Sequence, residues 1–164
     1  MTAAGTARVG EGTVLVLGLG NMLLTDDGVG PAVIARLMAD GPPRGARLRD
    51  GGTMGLDLLP EIEGAAALVV VDAAELGAEP GTLAVLEGRA MDAQLGGKKR
   101  TAHEVSLADL MGAAALTGCR PGRRALVAVQ PGGTGWGLAP TPCVAAAIGP
   151  ACRAVTELVE RWRA

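Results

Sequence analysis

Residues 18–30 read GLGNMLLTDDGVG, and the reading of this stretch decides the fold. An apolar run, Val14-Leu15-Val16-Leu17, precedes it. A helical pattern, Val29-Gly30-Pro31-Ala32-Val33-Ile34-Ala35-Arg36-Leu37-Met38, follows it. The order is strand, glycine loop, acidic pair, helix. A short run rich in valine and leucine and bounded by glycine reads as a buried strand. Gly18 and Gly20 let the backbone turn where a Cβ would clash.

The stretch fails as a dinucleotide-binding loop. That fingerprint needs a third glycine where this chain has Leu23. Asp26 and Asp27 stand near the helix start, where a pyrophosphate would sit. Two carboxylates there repel phosphate and attract a cation. The phosphate loop ending in Gly-Lys-Ser/Thr is absent as well. One of the two acids is expected to cap the helix, which leaves the other for chemistry.

At 164 residues the chain reads as one domain with a self-sufficient core. Residues 1–12 read as a flexible tail without an export signal, and 13–164 as the domain. Apolar residues make up 49%, charged residues 20%, and the net charge is −2, which gives no footprint for nucleic acid or an anionic membrane. No run approaches membrane-spanning length. With no Phe or Tyr, the core falls to Leu, Val, Ile, Ala and Met. Cys119, Cys143 and Cys152 form no CxxC pair, so a reduced, cytoplasmic setting is expected.

The chain after the first helix alternates. Gly41-Pro42-Pro43 stops that helix. Arg47–Asp50 reads as a second strand near an edge, and Gly51-Gly52-Thr53-Met54-Gly55 as a second glycine loop. Leu56–Ile62 reads as a short helix containing Pro60. Ala67–Asp72 is the plainest buried strand, apolar on both faces and ending in an acid. Thr82–Glu87 follows too closely for a helical crossover, so an antiparallel strand is expected. Residues 88–101 read as a mobile loop. Ser106-x-x-Asp109 reads as the capped start of the next helix, Ala125–Val129 as a fifth strand, 130–142 as a long loop, and 143–162 as an amphipathic helix. The sum is an α/β domain, a mostly parallel five-stranded sheet with helices on both faces.

In such sheets ligands bind beyond the carboxyl ends of the strands. Asp26 and Asp27 follow strand one, Asp50 ends strand two and Asp72 ends strand three. His103, the only histidine, precedes the helix expected at Ser106. Two carboxylates and an imidazole suit nickel, zinc or manganese. Ser106, the only serine, lies in no nucleophile elbow. No cysteine stands in a telling context for attack.

Several spaced segments together carry a resemblance: GLGNMLLTDDGVG at 18–30, DGGTMGLDLL at 50–59, VVVDA at 69–73, HEVSLADLM at 103–111 and, more loosely, GLAPTP at 137–142. They are similar, in order and over nearly the whole chain, to the hydrogenase maturation proteases. These endopeptidases trim the C-terminal tail of the nickel–iron hydrogenase large subunit and are classed as aspartic-type. The resemblance implies that Asp27, Asp72 and His103 contact nickel, with Asp26 the alternative to Asp27. Some members carry Glu at the Asp27 position. For the activation of water, Asp27 or Asp50 is the candidate base, with nickel as a Lewis acid on the carbonyl the alternative, and Asn21, Asp26, Gly51, Gly52 and Thr53 are expected to touch the substrate. The stretches 88–102 and 130–142 are then candidates to clamp its tail. The nickel comes with the large-subunit precursor, and the protease has no cofactor of its own. Two rival readings remain at this stage: a hydrolase owning its divalent ion, and a non-enzymatic nucleotide-binding or chaperone-like module.

Overall fold

A computed structural model of the chain describes residues 13–53, 55–97 and 102–163, the side chains of 102–106 excepted. The tail expected over 1–12 lies outside these residues, as do 98–101 of the stretch expected to be mobile.

The strands are β1 (Val14–Leu19), β2 (Ala46–Gly52), β3 (Ala67–Ala73), β4 (Leu83–Glu87) and β5 (Arg123–Val129). The helices are α1 (Val29–Asp40), α2 (Leu59–Glu63), α3 (Arg89–Leu95), α4 (Ala102–Leu116) and α5 (Pro142–Arg163), and 3-10 turns at Thr25–Gly28 and Leu56–Leu58 lead into α1 and α2. The sheet order is β2-β1-β3-β5-β4. All pairings are parallel except β4 with β5. The fold is thus the expected five-stranded α/β domain, with β2 at one edge and the antiparallel strand at the other.

Every residue of β1 and β3 is buried, as an apolar strand covered on both faces requires. Alternation along the strands divides the core in two. Val14, Val16, Val69, Val71, Val127 and Val129 face α1 and α5. Leu15, Leu17, Leu68, Val70 and Leu126 face α2, α3 and α4, meeting Leu58, Ile62, Met91, Leu107 and Leu110. β-branched side chains thus line one face, and longer, flexible ones dominate the other.

The first turn of α1 is wedged against the ends of β1 and β3. A Cβ on Gly30 would lie 2.2 Å from the Leu19 carbonyl oxygen and 2.6 Å from that of Val71. Only glycine permits this approach.

Three expectations are corrected. Residues 89–95 form α3 rather than part of a loop; Met91 and Leu95, four apart, bury one stripe of it. This helix is only seven residues long, and glycines border it on both sides, so its pattern is weak in sequence. α4 begins at Ala102, four residues before the expected cap, so Ser106 lies inside the helix and His103 in its first turn. Last, α5 is by length and composition the one described helix that could cross a membrane. Its Val144, Ala147, Ala151, Val155, Leu158 and Val159 stripe packs in the core instead.

α3 is tied to β5 by charge. Arg124, buried in β5, donates from Nε to Asp92 Oδ1 at 3.0 Å and from Nη2 to Oδ2. Its Nη1 donates to the Pro121 and Gly122 carbonyls, each at 3.2 Å. The Arg124 hydrogen bonds hold the Asp92 carboxyl below its ordinary value against the opposing effect of burial. Because the folded value is depressed, this stabilisation is complete above the unfolded carboxylate value, near pH 4, and is lost as pH falls through the folded value. Asp92→Ala is expected to cost about 1–2 kcal/mol at pH 7, discounted because Asp92 is partly exposed. In urea unfolding, the gap from wild type should close below about pH 4. Gly30→Ala is expected to cost about 3 kcal/mol or more in the same assay, since backbone must move to admit the methyl group.

Candidate active site at the β1–β3 switch point

From β1 the chain crosses to β2 on one side, and β3 lies on the other. This reversal opens a crevice beyond the carboxyl ends of β1 and β3, the place where open α/β sheets bind ligands. The 3-10 turn carrying Asp26 and Asp27 packs against β3 there. Asp72, one residue before the end of β3, is buried and shares a face with Leu68 and Val70, the face covered by α2–α4. Asp27, in the turn that follows β1, and Asp72, near the end of β3, thus both lie at the carboxyl-end rim of the sheet. His103 belongs to α4 on that same face; its side chain lies outside the described residues. Among the described residues no group of three or more His, Cys, Asp or Glu is placed to hold a metal ion.

Neither acid caps α1. Gly28 holds the cap position, without a side-chain hydrogen bond. Asp27, nearly buried, accepts the Asn21 N–H at its Oδ2, 2.8 Å away. Asn21 Oδ1 in turn accepts the Leu23 N–H at 2.9 Å. The loop is thereby folded back on itself, with the Asp27 carboxylate held at its base. A Cβ on Gly20, which has φ +134, would fall 1.8 Å from the Asp27 carbonyl oxygen. Gly20 is the residue that lets Asp27 come down onto the strand end.

Asp26 is the larger correction. Expected at the substrate, it is fully buried, and its carboxylate ties two loops together. The N–H groups of Gly132 and Gly133 both donate to Oδ2 at 2.8 Å, and the Thr141 N–H donates to Oδ1 at 2.6 Å. The Thr141 hydroxyl is shared between the two oxygens. Burial pushes the Asp26 carboxyl up, yet the Gly133, Thr141 and Gly132 amides, with the Thr141 hydroxyl, hold it below its ordinary value. Thr25 completes the tie. Its hydroxyl is shared between the Gly133 and Gly135 carbonyls, and its N–H donates to Gly137 O at 3.0 Å. It does so at φ +46, a strained conformation for a β-branched residue. Leu24 and Gly137 form a parallel bridge. The 130–142 stretch, expected as a mobile clamp, is thus held on the first loop through residues 132–141.

The second glycine loop also divides its roles. The β1–β2 register slips between Gly18↔Asp50 and Leu19↔Gly52, leaving Gly51 as a bulge. Gly51 is buried, and a Cβ there would meet Leu17 and Leu19 at 2.9 Å and Leu58 at 3.0 Å. Its place is the core, not the substrate path expected for it. Asp50 is exposed, and its Oδ1 accepts the Gly52 N–H at 2.9 Å. Gly52 O accepts the Gly20 N–H at 2.9 Å, joining the two glycine loops. A cleft of about 370 Å³ opens between them, lined by Gly20, Asn21, Met22, Leu23, Pro31, Asp50, Gly52 and Thr53. The structure thus brings Asn21, Asp50, Gly52 and Thr53 to one cleft and separates Asp26 and Gly51 from it.

Sequence reading missed Thr25, Thr141 and Gln130. Gln130, nearly buried after β5, accepts the Leu76 N–H at 2.7 Å and holds the loop that follows β3. No local pattern marks these residues; Thr141 and Asp26 are 115 positions apart. The cysteines are free. Burial pushes the Cys152 thiol up, and Cys119 precedes β5 at the opposite rim of the sheet. Asp26→Ala is expected to cost roughly 3 kcal/mol, because buried amides lose a charged acceptor. It should also speed hydrogen exchange at Gly132, Gly133 and Thr141. Asp50→Asn, at an exposed site, should stay within about 0.5 kcal/mol of wild type.

A family model described as hydrogenase maturation protease matches residues 31–158. The hydrogenase expression/formation protein HupD of Rhodobacter capsulatus is 42% identical over 119 residues, 72% of this chain and 57% of that protein. The match thus spans little more than half the length of that relative. The hydrogenase 2 maturation protease of Escherichia coli is 35% identical over 87% of each chain. In structure, the hydrogenase maturating endopeptidase HybD from E. coli superimposes with a TM-score of 0.83 at 32% identity, covering 91% of this chain and 93% of that one. On the strength of the family match and these relatives, the chain belongs to the hydrogenase maturation protease family.

Proposed function

We propose that this protein is an endopeptidase that removes the C-terminal extension of a hydrogenase large-subunit precursor already loaded with nickel. The observation that supports the reading is the pair of nearly buried carboxylates, Asp27 and Asp72, at the carboxyl-end rim of β1 and β3 in a member of this family. The metal is part of the substrate. On this reading Asp27, Asp72 and His103 recognise it and so bring the adjoining peptide to the cleft beside Asp50. A hard, anionic oxygen pair with one imidazole matches a divalent nickel ion. The isolated protein then has no ion of its own.

Asp27 is the better ligand candidate of the acidic pair, because the Asp26 oxygens are engaged by the 132–141 loop. Asp27 or Asp50 takes the proton of the attacking water; Asp50 is exposed in the cleft, where a peptide bond can reach it. Cleavage adds water across one amide bond: hydroxyl to the carbonyl carbon, proton to the departing nitrogen. Asn21, Gly52 and Thr53 line the path of the peptide. The proposed setting is the cytoplasm, where the precursor is made.

The test is incubation of the protein with candidate precursor, with and without nickel, followed by mass measurement. Cleavage is expected only with nickel present; cutting of the nickel-free precursor or of unrelated peptides would remove the recognition step. Asp72→Asn and His103→Ala should each slow processing at least about 100-fold with the melting temperature retained. Cys119→Ser should process like wild type, and a folded but inactive Cys119→Ser protein would revive a thiol mechanism.

A further inference from the structure

The two loops joined by Asp26 present an apolar collar beside the cleft. Trp136 is 82% exposed, Leu138 83%, Met22 58% and Leu23 49%. The Leu24–Gly137 bridge brings the two segments that carry them side by side: its parallel register sets Leu23 beside Trp136, and Gly137 N–H donates to Leu23 O at 2.9 Å. Scattered exposed apolar residues are ordinary, but a contiguous group beside a functional cleft marks a contact surface.

The collar is also built to keep its shape. A Cβ on Gly137 would lie 2.6 Å from the Thr25 methyl carbon, so the bridge needs glycine there. The strained Thr25 and the buried Asp26 carboxylate fix the loops from beneath. A pre-ordered surface binds without first losing loop entropy.

We propose that this collar docks an apolar segment of the precursor polypeptide next to the bond that enters the cleft. The identity of the client rests on the processing reading above. Continuity argues for it: Met22 and Leu23 belong to both the collar and the wall of the cleft that contains Asp50. A chain lying in that cleft runs onto the collar at its edge. Charge argues against a membrane as occupant: residues 20–28 and 130–142 contain no Lys or Arg, and the two acids among them, Asp26 and Asp27, are buried, whereas interfacial anchors carry basic flanks. Trp and Met are residue types enriched where one protein anchors another.

The experiment titrates nickel-loaded precursor, fluorescently labelled, into full-length wild type and the single variants Trp136→Ser and Leu138→Ser, and follows the product mass in parallel. Leu116→Ser serves as control; Leu116 is 91% exposed at the end of α4, towards the opposite rim. Each collar variant is expected to bind at least ten-fold more weakly, and the control within two-fold of wild type. Should Trp136→Ser fail to fold, Leu138→Ser decides alone. Collar variants that bind like wild type overturn the proposal, as does a wild type that does not bind precursor. So does retained precursor affinity accompanied by loss of self-association in sedimentation or of binding to phosphatidylcholine vesicles. Binding by wild type without cleavage, weakened in the collar variants, would sink the processing reading and leave the collar standing.

Discussion

The structure depends on one close approach of backbone to backbone. The first turn of α1 sits against the carbonyl ends of β1 and β3 because Gly30 has no Cβ to hold it away. Gly18 makes the same allowance from the strand side, where a Cβ would meet Ile34 and the Gly30 carbonyl. That contact sets the depth at which the preceding 3-10 turn lies. Asp27 is thereby brought down to the rim from which Asp72 rises, without any long side chain reaching across.

Placing two acids at a rim is costly unless their surroundings are polar in the right places. The chain answers differently for each. Asp27 receives a backbone amide from its own loop. Asp26, one residue earlier, receives amides from a loop more than a hundred residues away. Two neighbouring acids on one short turn thus take different partners, and Asp26 secures the loop around them. The strained Thr25 enters this turn and is itself bonded to the same distant loop.

The division of the core by strand parity has a functional consequence. Asp72 shares the Leu68 and Val70 face, which α2–α4 cover. α4 therefore brings the only histidine of the chain onto the face where Asp72 lies. α1 covers the other face and brings Asp27 to the same rim. A site between β1 and β3 can thus draw groups from both layers of helices.

Much of this was legible in the residues. The apolar runs Val14–Leu17 and Ala67–Val71 demanded buried parallel strands, the short gap before Leu83 demanded an antiparallel one, and the glycine-acid loop had to lie at the strand ends. α3 was not legible, since two buried residues flanked by glycines make a weak signal, nor was the start of α4, where a Ser-x-x-acid pattern lies within a helix already begun. The sequence by itself determined the sheet, the order of its layers and the set of acids at its rim, because periodicity and chain order are local properties. Which acid is buried as a tie between two loops was decided only by tertiary structure. That choice depends on Gly132, Gly133 and Thr141 arriving beside Asp26, and hydrogen-bond partners so distant along the chain meet only when the sheet has formed.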